Sequence, residues 1–74
     1  MDFGTKMRIV RALRNMSQVE LSAKSGVAMA FISRAERGKH LLKQEAQFQV
    51  RMALSWPETA DQVIENLATF HFEQ

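Results

Sequence analysis

The side chains of this chain that could do chemistry are its cations, and they are confined to one part of the sequence. All ten lysines and arginines of the 74-residue chain lie within residues 1–56, beside four acidic residues, which gives this part a net charge of +6. Residues 57–74 contain four acidic residues and no base, for a net charge of −4. A basic body joined to an acidic end is the asymmetry expected when one face of a protein meets a polyanion.

Other kinds of chemistry have little support in the sequence. The chain has no cysteine, and its two histidines, His40 and His71, are far apart, so neither a disulfide nor a metal site is expected. A catalytic Ser/His/Asp set and a phosphate-binding loop are missing too, so we expect no enzyme, cofactor or small-molecule ligand. Because neither a membrane span nor a signal peptide is recognisable, we expect a cytoplasmic, nucleoid-associated protein of a bacterium or phage.

The elements that must position these cations are predicted to be helices. Glycine and proline are scarce, and apolar residues recur at helical spacing. We therefore predict one all-α domain over residues 1–74, a compact arrangement of five helices. The predicted helices span about 3–14, 18–25, 29–37 and 42–54, and the fifth begins at Pro57. For residues 69–74 a short strand, a helix end and a tail all remain open.

The first predicted helix has clear boundaries and an apolar stripe. Asp2 is a good N-cap residue, and Asn15 can take the left-handed conformation that ends a helix. The stripe consists of Phe3, Met7, Val10 and Leu13, which we expect to be buried.

Residues 17–38 have the pattern of a helix-turn-helix, two short helices joined by a tight turn that contains glycine. Ser17 and Glu20 form a capping box at the start of the first of these helices. Gly26 follows its end, and Gly38 follows the end of the second. We expect Ala23 to lie where the two helices cross. The expected core contacts around this crossing are Leu21, Val27 and Ile32.

At these residues the sequence resembles a known family. The stretches SQVELSAKSGV (17–27) and ISRAERGK (32–39) resemble the XRE (Cro/C1-type) repressors, which read S-Q-x-x-L-(x)3–4-G-V-x-x-x-x-I-S-x-x-E-x-G-K. Val10 and Arg11 stand at the place of the family's Leu-Arg pair, so the resemblance covers about residues 2–56. It implies a lambda-repressor-like fold and sequence-specific binding of double-stranded DNA in transcriptional regulation.

The resemblance also implies roles for individual residues. Arg11 and Glu36 match a pair that forms an internal salt bridge between the first and third helices. Gln18 matches a residue that touches a phosphate and braces the recognition helix. The positions that face base edges are Met29, Ala30 and Ser33. The residues placed to contact the DNA backbone are Gln18, Phe31, Arg34, Arg37, Lys39, His40 and Lys43.

Two regions depart from the family pattern. Ala28 stands where relatives often have Ser or Thr, so the third helix loses its usual N-cap, and Met29 replaces a long polar reader. We therefore expect Met29 and Ala30 to face outward and to contact thymine methyl groups, with Ser33 as the main polar reader. In the fourth helix, Gln44 and Gln47 replace leucines, which leaves its register open.

The size of the chain predicts association. A domain this small is marginally stable, and a monomer that reads a few base pairs cannot select one site in a genome. We therefore expect a homodimer on a palindromic operator, with Phe70 and Phe72 in the interface and with Trp56 and Leu67 in the monomer core. The alternative is an antitoxin-like interaction module that grips a protein partner through residues 57–74 and binds DNA secondarily.

Overall fold

A computed structural model describes residues 1–56, and this part of the chain folds into four α-helices without a strand. The helices are α1 (Phe3–Leu13), α2 (Gln18–Ser25), α3 (Met29–Glu36) and α4 (Gln44–Ala53). Their bounds agree with the sequence-based prediction to within two residues. The fifth predicted helix, from Pro57 onward, lies outside the described residues. No helix in the described part is long and apolar enough to cross a membrane.

Helix α1 begins and ends as predicted. The Asp2 carboxylate accepts a hydrogen bond from the Thr5 backbone N–H at 2.8 Å, which satisfies one of the free donors of the first turn. Hydrogen bonding from Thr5, through its side chain first and its backbone second, lowers the pKa of Asp2 below its ordinary value of 3.8. After the helix, Asn15 takes the left-handed conformation, with φ of 53°.

Asp2→Ala should lower the free energy of unfolding by about 1 kcal/mol, because the first turn of α1 loses its cap. Asp2→Asn is the matched control, since asparagine caps as well as aspartate and should retain most of the stability. Because the pKa of Asp2 is lowered by folding, its contribution is present above pH 3.8 and is lost as the pH falls through the lowered pKa. Urea unfolding at neutral pH and at about pH 3 would measure both effects, and equal losses in the two variants would contradict the capping role.

The buried face of α1 is narrower than predicted. Met7 and Val10 are buried as expected and Phe3 is half-buried, but Leu13 is 77% exposed, so its assignment to the core was wrong. Arg11 faces α3, where it bonds Glu36, and Met7 is the most deeply buried residue on this side of α1. Leu13 lies about 120° around the helix from Met7 and therefore faces solvent.

Helices α1 and α3 approach each other closely at Gly4. A Cβ atom at this position would lie 1.9 Å from the carbonyl oxygen of Ala35, so only glycine fits here. Sequence reasoning missed this contact, because nothing within α1 itself requires a glycine at that position. The close approach brings the end of α3 against the start of α1.

Helix α4 closes the core from the side of α2. Leu42, Val50 and Leu54 are buried, which settles the register that the two glutamines had left open. Gln47 has a structural role, since its amide donates to the Leu42 carbonyl at 2.9 Å and holds the start of the helix. Arg14 holds the other end by donating to the Leu54 carbonyl at 3.1 Å.

Trp56 packs between the start of α1 and the end of α4. Its ring stacks on Phe3 with a centroid separation of 5.5 Å, and the Arg51 guanidinium lies 5.2 Å from the tryptophan ring and 5.3 Å from that of Phe3. The expected place of Trp56 in the monomer core is therefore confirmed. Leu67, expected there as well, lies outside the described residues.

Candidate nucleic-acid interface

The capping box that begins α2 is present. The Ser17 hydroxyl accepts from the Glu20 N–H at 3.0 Å, and the Glu20 carboxylate accepts from the Ser17 N–H at 3.4 Å. Helix α2 ends at Gly26, whose φ of 76° lies in the left-handed region that glycine adopts without strain. The helix is therefore eight residues long, and the chain reverses at once toward α3.

The turn between α2 and α3 is held by two serines that sequence reasoning missed. The Ser22 hydroxyl donates to the Val27 carbonyl at 2.7 Å, and the Ser25 hydroxyl accepts from the Val27 N–H at 3.1 Å. Ala23, expected at the helix crossing, is exposed, so that prediction was wrong. Ser22 and Ser25 bond to Val27 and therefore lie on the inner side of α2. Ala23 follows Ser22 directly, which turns it about 100° around the helix and away from this side. Ser25 directly before Gly26 and Ser22 one helical turn earlier were the available signal.

An ion cluster fixes α3 relative to α1 and α2. Arg11 donates through Nε and Nη2 to the two carboxylate oxygens of Glu36, both at 2.8 Å, as the predicted salt bridge requires. Its Nη1 donates to the Met16 carbonyl at 2.9 Å. Gln18 also donates to Glu36, at 3.1 Å. The carboxylate, with 4% of the Glu36 side chain exposed, raises the pKa of Arg11 above its ordinary value, mainly through these hydrogen bonds.

Gln18 therefore braces α3 through Glu36, as the family resemblance implied. This contact uses one amide N–H of Gln18, and an amide side chain has a second N–H and a carbonyl oxygen with which it can bind another group. The predicted contact of Gln18 with a phosphate stays a prediction.

The outer face of α3 is apolar at its start. Met29 and Phe31 are 46% and 44% exposed, and Ala30 is exposed as well, so the expected outward orientation of Met29 and Ala30 is confirmed. Ser33 is half-buried on the same helix. No side chain caps the helix at Ala28, as the departure from the family pattern predicted.

The inner face of the same helix is built from Ile32, Ala35 and Glu36, all buried. Residues 29–31 at the start of α3 therefore face solvent, while Ile32, Ala35 and Glu36 hold the helix against the core. An α-helix presented in this way has the dimensions to enter the major groove of DNA.

Exposed cations surround the apolar tip. Gly38, with φ of 71°, reverses the chain after α3, and the Lys39 N–H donates to the Arg34 carbonyl at 2.8 Å. The exposed lysines and arginines of α3 and of the loop after it form no ion pair with any residue of 1–56. Their charges are therefore available to an external anion. The exposed cations of α3 and the following loop are Arg34, Arg37, Lys39 and Lys43.

Two predicted backbone-contacting residues lie against each other. Phe31 stacks on His40, with ring centroids 5.3 Å apart and an interplanar angle of 23°. A phenyl ring can neither donate a hydrogen bond nor carry charge, so Phe31 differs in chemistry from the cations predicted to bind phosphate.

Some predicted features lie beyond this interface. Phe70 and Phe72, the predicted dimer contacts, fall outside the described residues. In the described part of the chain no three His, Asp or Glu side chains come together in a way that could hold a metal ion.

Comparison with known proteins agrees with this geometry. A family model described as helix-turn-helix matches residues 7–46, which include α1 from Met7 onward, α2, α3 and the start of α4. This is a family of DNA-binding domains rather than of enzymes. No curated protein and no solved structure matches the chain.

Proposed function

Because the chain belongs to the XRE (Cro/C1-type) helix-turn-helix family and is thus a DNA-binding transcriptional regulator, we propose that it acts as a repressor or controller on a palindromic operator. Helix α3 would enter the major groove of each half-site. The observation that supports this most directly is the exposed first turn of α3 beside cations that have no ion-pair partner among residues 1–56.

Contacts to phosphate would supply most of the affinity. Each cation that neutralises a phosphate releases condensed counterions, so binding should weaken steeply with salt. The proposed backbone contacts come from α3 itself, from the loop after it and from Gln18 at the start of α2. They would set the position of α3 in the groove without reading the sequence.

Contacts to bases would come from the exposed part of α3. Met29 and Ala30 have no polar side-chain atoms for a bidentate hydrogen bond to guanine or adenine, so they would contact thymine methyl groups. Ser33 would supply the polar contact. With so few direct hydrogen bonds, the shape and deformability of the operator should contribute to its selection.

A homodimer would place two copies of α3 on the DNA. Two half-sites about one helical turn apart match two copies of α3 related by a twofold axis. Residues Phe70 and Phe72 are the proposed contacts between the copies, because the acidic segment that contains them lacks the cations expected of a DNA-facing surface.

Footprinting on the DNA that flanks the chain's own gene would test this proposal. We expect a protected palindrome with half-sites about ten base pairs apart, centre to centre. Protection of a single, non-palindromic site would overturn the dimer. If no DNA were protected while a protein partner bound through residues 57–74, the antitoxin-like alternative would be favoured.

The salt dependence of binding should separate the contacting cations from the others. Arg34→Gln should reduce the slope of log affinity against log salt by about 0.9, the contribution of one phosphate contact. Arg8→Gln is the matched control, because Arg8 is an exposed cation of α1 outside the proposed contacts and should leave the slope unchanged. Titrations at several salt concentrations on one duplex would measure both, and equal slopes for Arg34→Gln and the parent would remove Arg34 from the interface.

A further inference from the structure

Phe31 and His40 form an exposed, stacked aromatic pair on the outer side of α3. Phe31 lies in the first turn of α3, and His40 lies in the loop that follows the helix. The reversal at Gly38 brings the imidazole back against the phenyl ring, with centroids 5.3 Å apart and nearly parallel planes. Both residues remain exposed, so the stack is available to a ligand rather than buried in the core.

The chemistry of the phenyl ring restricts what it can recognise. It offers no donor, no acceptor and no charge, so a phosphate gains nothing from it. In the major groove, the one apolar group on a base edge is the methyl at C5 of thymine. A cytosine methylated at C5 carries the same group at the same position. The shared chemistry is therefore a pyrimidine with a methyl at C5.

We propose that Phe31 contacts the C5 methyl of one pyrimidine in each half-site and so determines specificity at that position. His40 is a positioning residue, because its ring covers one face of Phe31 and limits the rotamers that Phe31 can adopt. This inference rests on the proposed DNA binding and changes the part that Phe31 plays in it, from the DNA backbone to the bases.

The test uses the full chain and the duplex of highest affinity selected from a random library. Each thymine of that duplex is replaced in turn by uracil, which removes the methyl and nothing else. At least one thymine per half-site should show about fourfold weaker binding when replaced, the effect of one buried methyl-sized group. At one of these thymines the uracil effect should vanish in Phe31→Ala, whereas Leu41→Ala, which truncates an exposed apolar side chain outside the proposed contacts, should retain it.

Two further arms separate positioning from contact and thymine from methylcytosine. His40→Ala should reduce the uracil effect, and His40→Phe, which keeps an aromatic ring for the stack, should restore it. Replacing the sensitive T·A pair by C·G should weaken binding, and methylation of that cytosine at C5 should restore part of the affinity.

Several results would overturn the inference. One is a uracil effect of equal size in Phe31→Ala and the parent, and another is a selected duplex without any uracil-sensitive thymine. Restoration by methylcytosine that persists in Phe31→Ala would also assign the methyl contact to another residue. If the library yields no selected duplex at all, the proposed function fails first, and the outcomes are thereby distinguishable.

Discussion

Glu36→Ala should lower the free energy of unfolding by about 3–5 kcal/mol, the cost of removing one member of a buried ion pair. The loss is large because three hydrogen bonds end on this carboxylate, two from Arg11 and one from Gln18. Only 18% of the Arg11 side chain is exposed, so its charge would remain largely buried without a partner. Chemical unfolding followed by circular dichroism would measure the change.

Glu36→Gln is the matched variant for this experiment. It keeps the size of the side chain and one acceptor oxygen but removes the charge, so its loss should be smaller than that of Glu36→Ala. Since folding raises the pKa of Arg11, its share of the stabilisation is complete below the ordinary pKa of arginine and is lost only as the pH rises through the raised value. An unchanged melting temperature together with abolished DNA binding would instead place Glu36 at the DNA.

Gly4→Ala is expected to have the second large effect, a loss of about 3 kcal/mol or more. Within a helix, alanine is normally better than glycine by about 0.5–1 kcal/mol, so propensity alone predicts the opposite sign. Packing should win, because the added Cβ would lie 1.9 Å from the oxygen and 2.6 Å from the carbon of the Ala35 carbonyl. These are backbone atoms, which cannot rotate away as a side chain can.

Gly38→Ala provides the comparison for this substitution. A Cβ at Gly38 meets nothing within 4 Å, and the strain comes only from its φ of 71°. The expected loss is about 1–2 kcal/mol, the cost of a left-handed conformation for a residue with a Cβ. If Gly4→Ala proved no worse than Gly38→Ala in urea unfolding, α1 and α3 could separate without penalty and the close approach would not be a constraint.

Local features of the fold could be predicted from the sequence because each depends on neighbouring residues. The capping box of Ser17 and Glu20, the left-handed Asn15 and the glycine after α2 all act within one turn of chain. The Arg11–Glu36 pair is different, since its members are far apart in sequence. It was predictable only because the chain resembles a family in which these positions are paired.

The features that the sequence did not predict depend on how helices meet. Leu13 continues the apolar spacing of α1 and is nevertheless exposed, because the register of the helix is set by Gly4 and Arg11 against α3. Ser22 and Ser25 are unremarkable within α2, and only the position of Val27 gives them a role. In the interface, the exposure of residues 29–31 could be predicted from the sequence. The Phe31–His40 stack could not, because it depends on the path that the loop takes after α3.

The two serine contacts to Val27 have a thermodynamic consequence for recognition. Fixing the backbone of one residue costs about 1–2 kcal/mol of conformational entropy, and binding is weakened when that cost falls at the moment of association. Here both backbone groups of Val27 are already bonded in the free protein. The turn is thus ordered during folding, so the orientation of α3 is fixed before DNA binds and this entropy cost does not weaken binding.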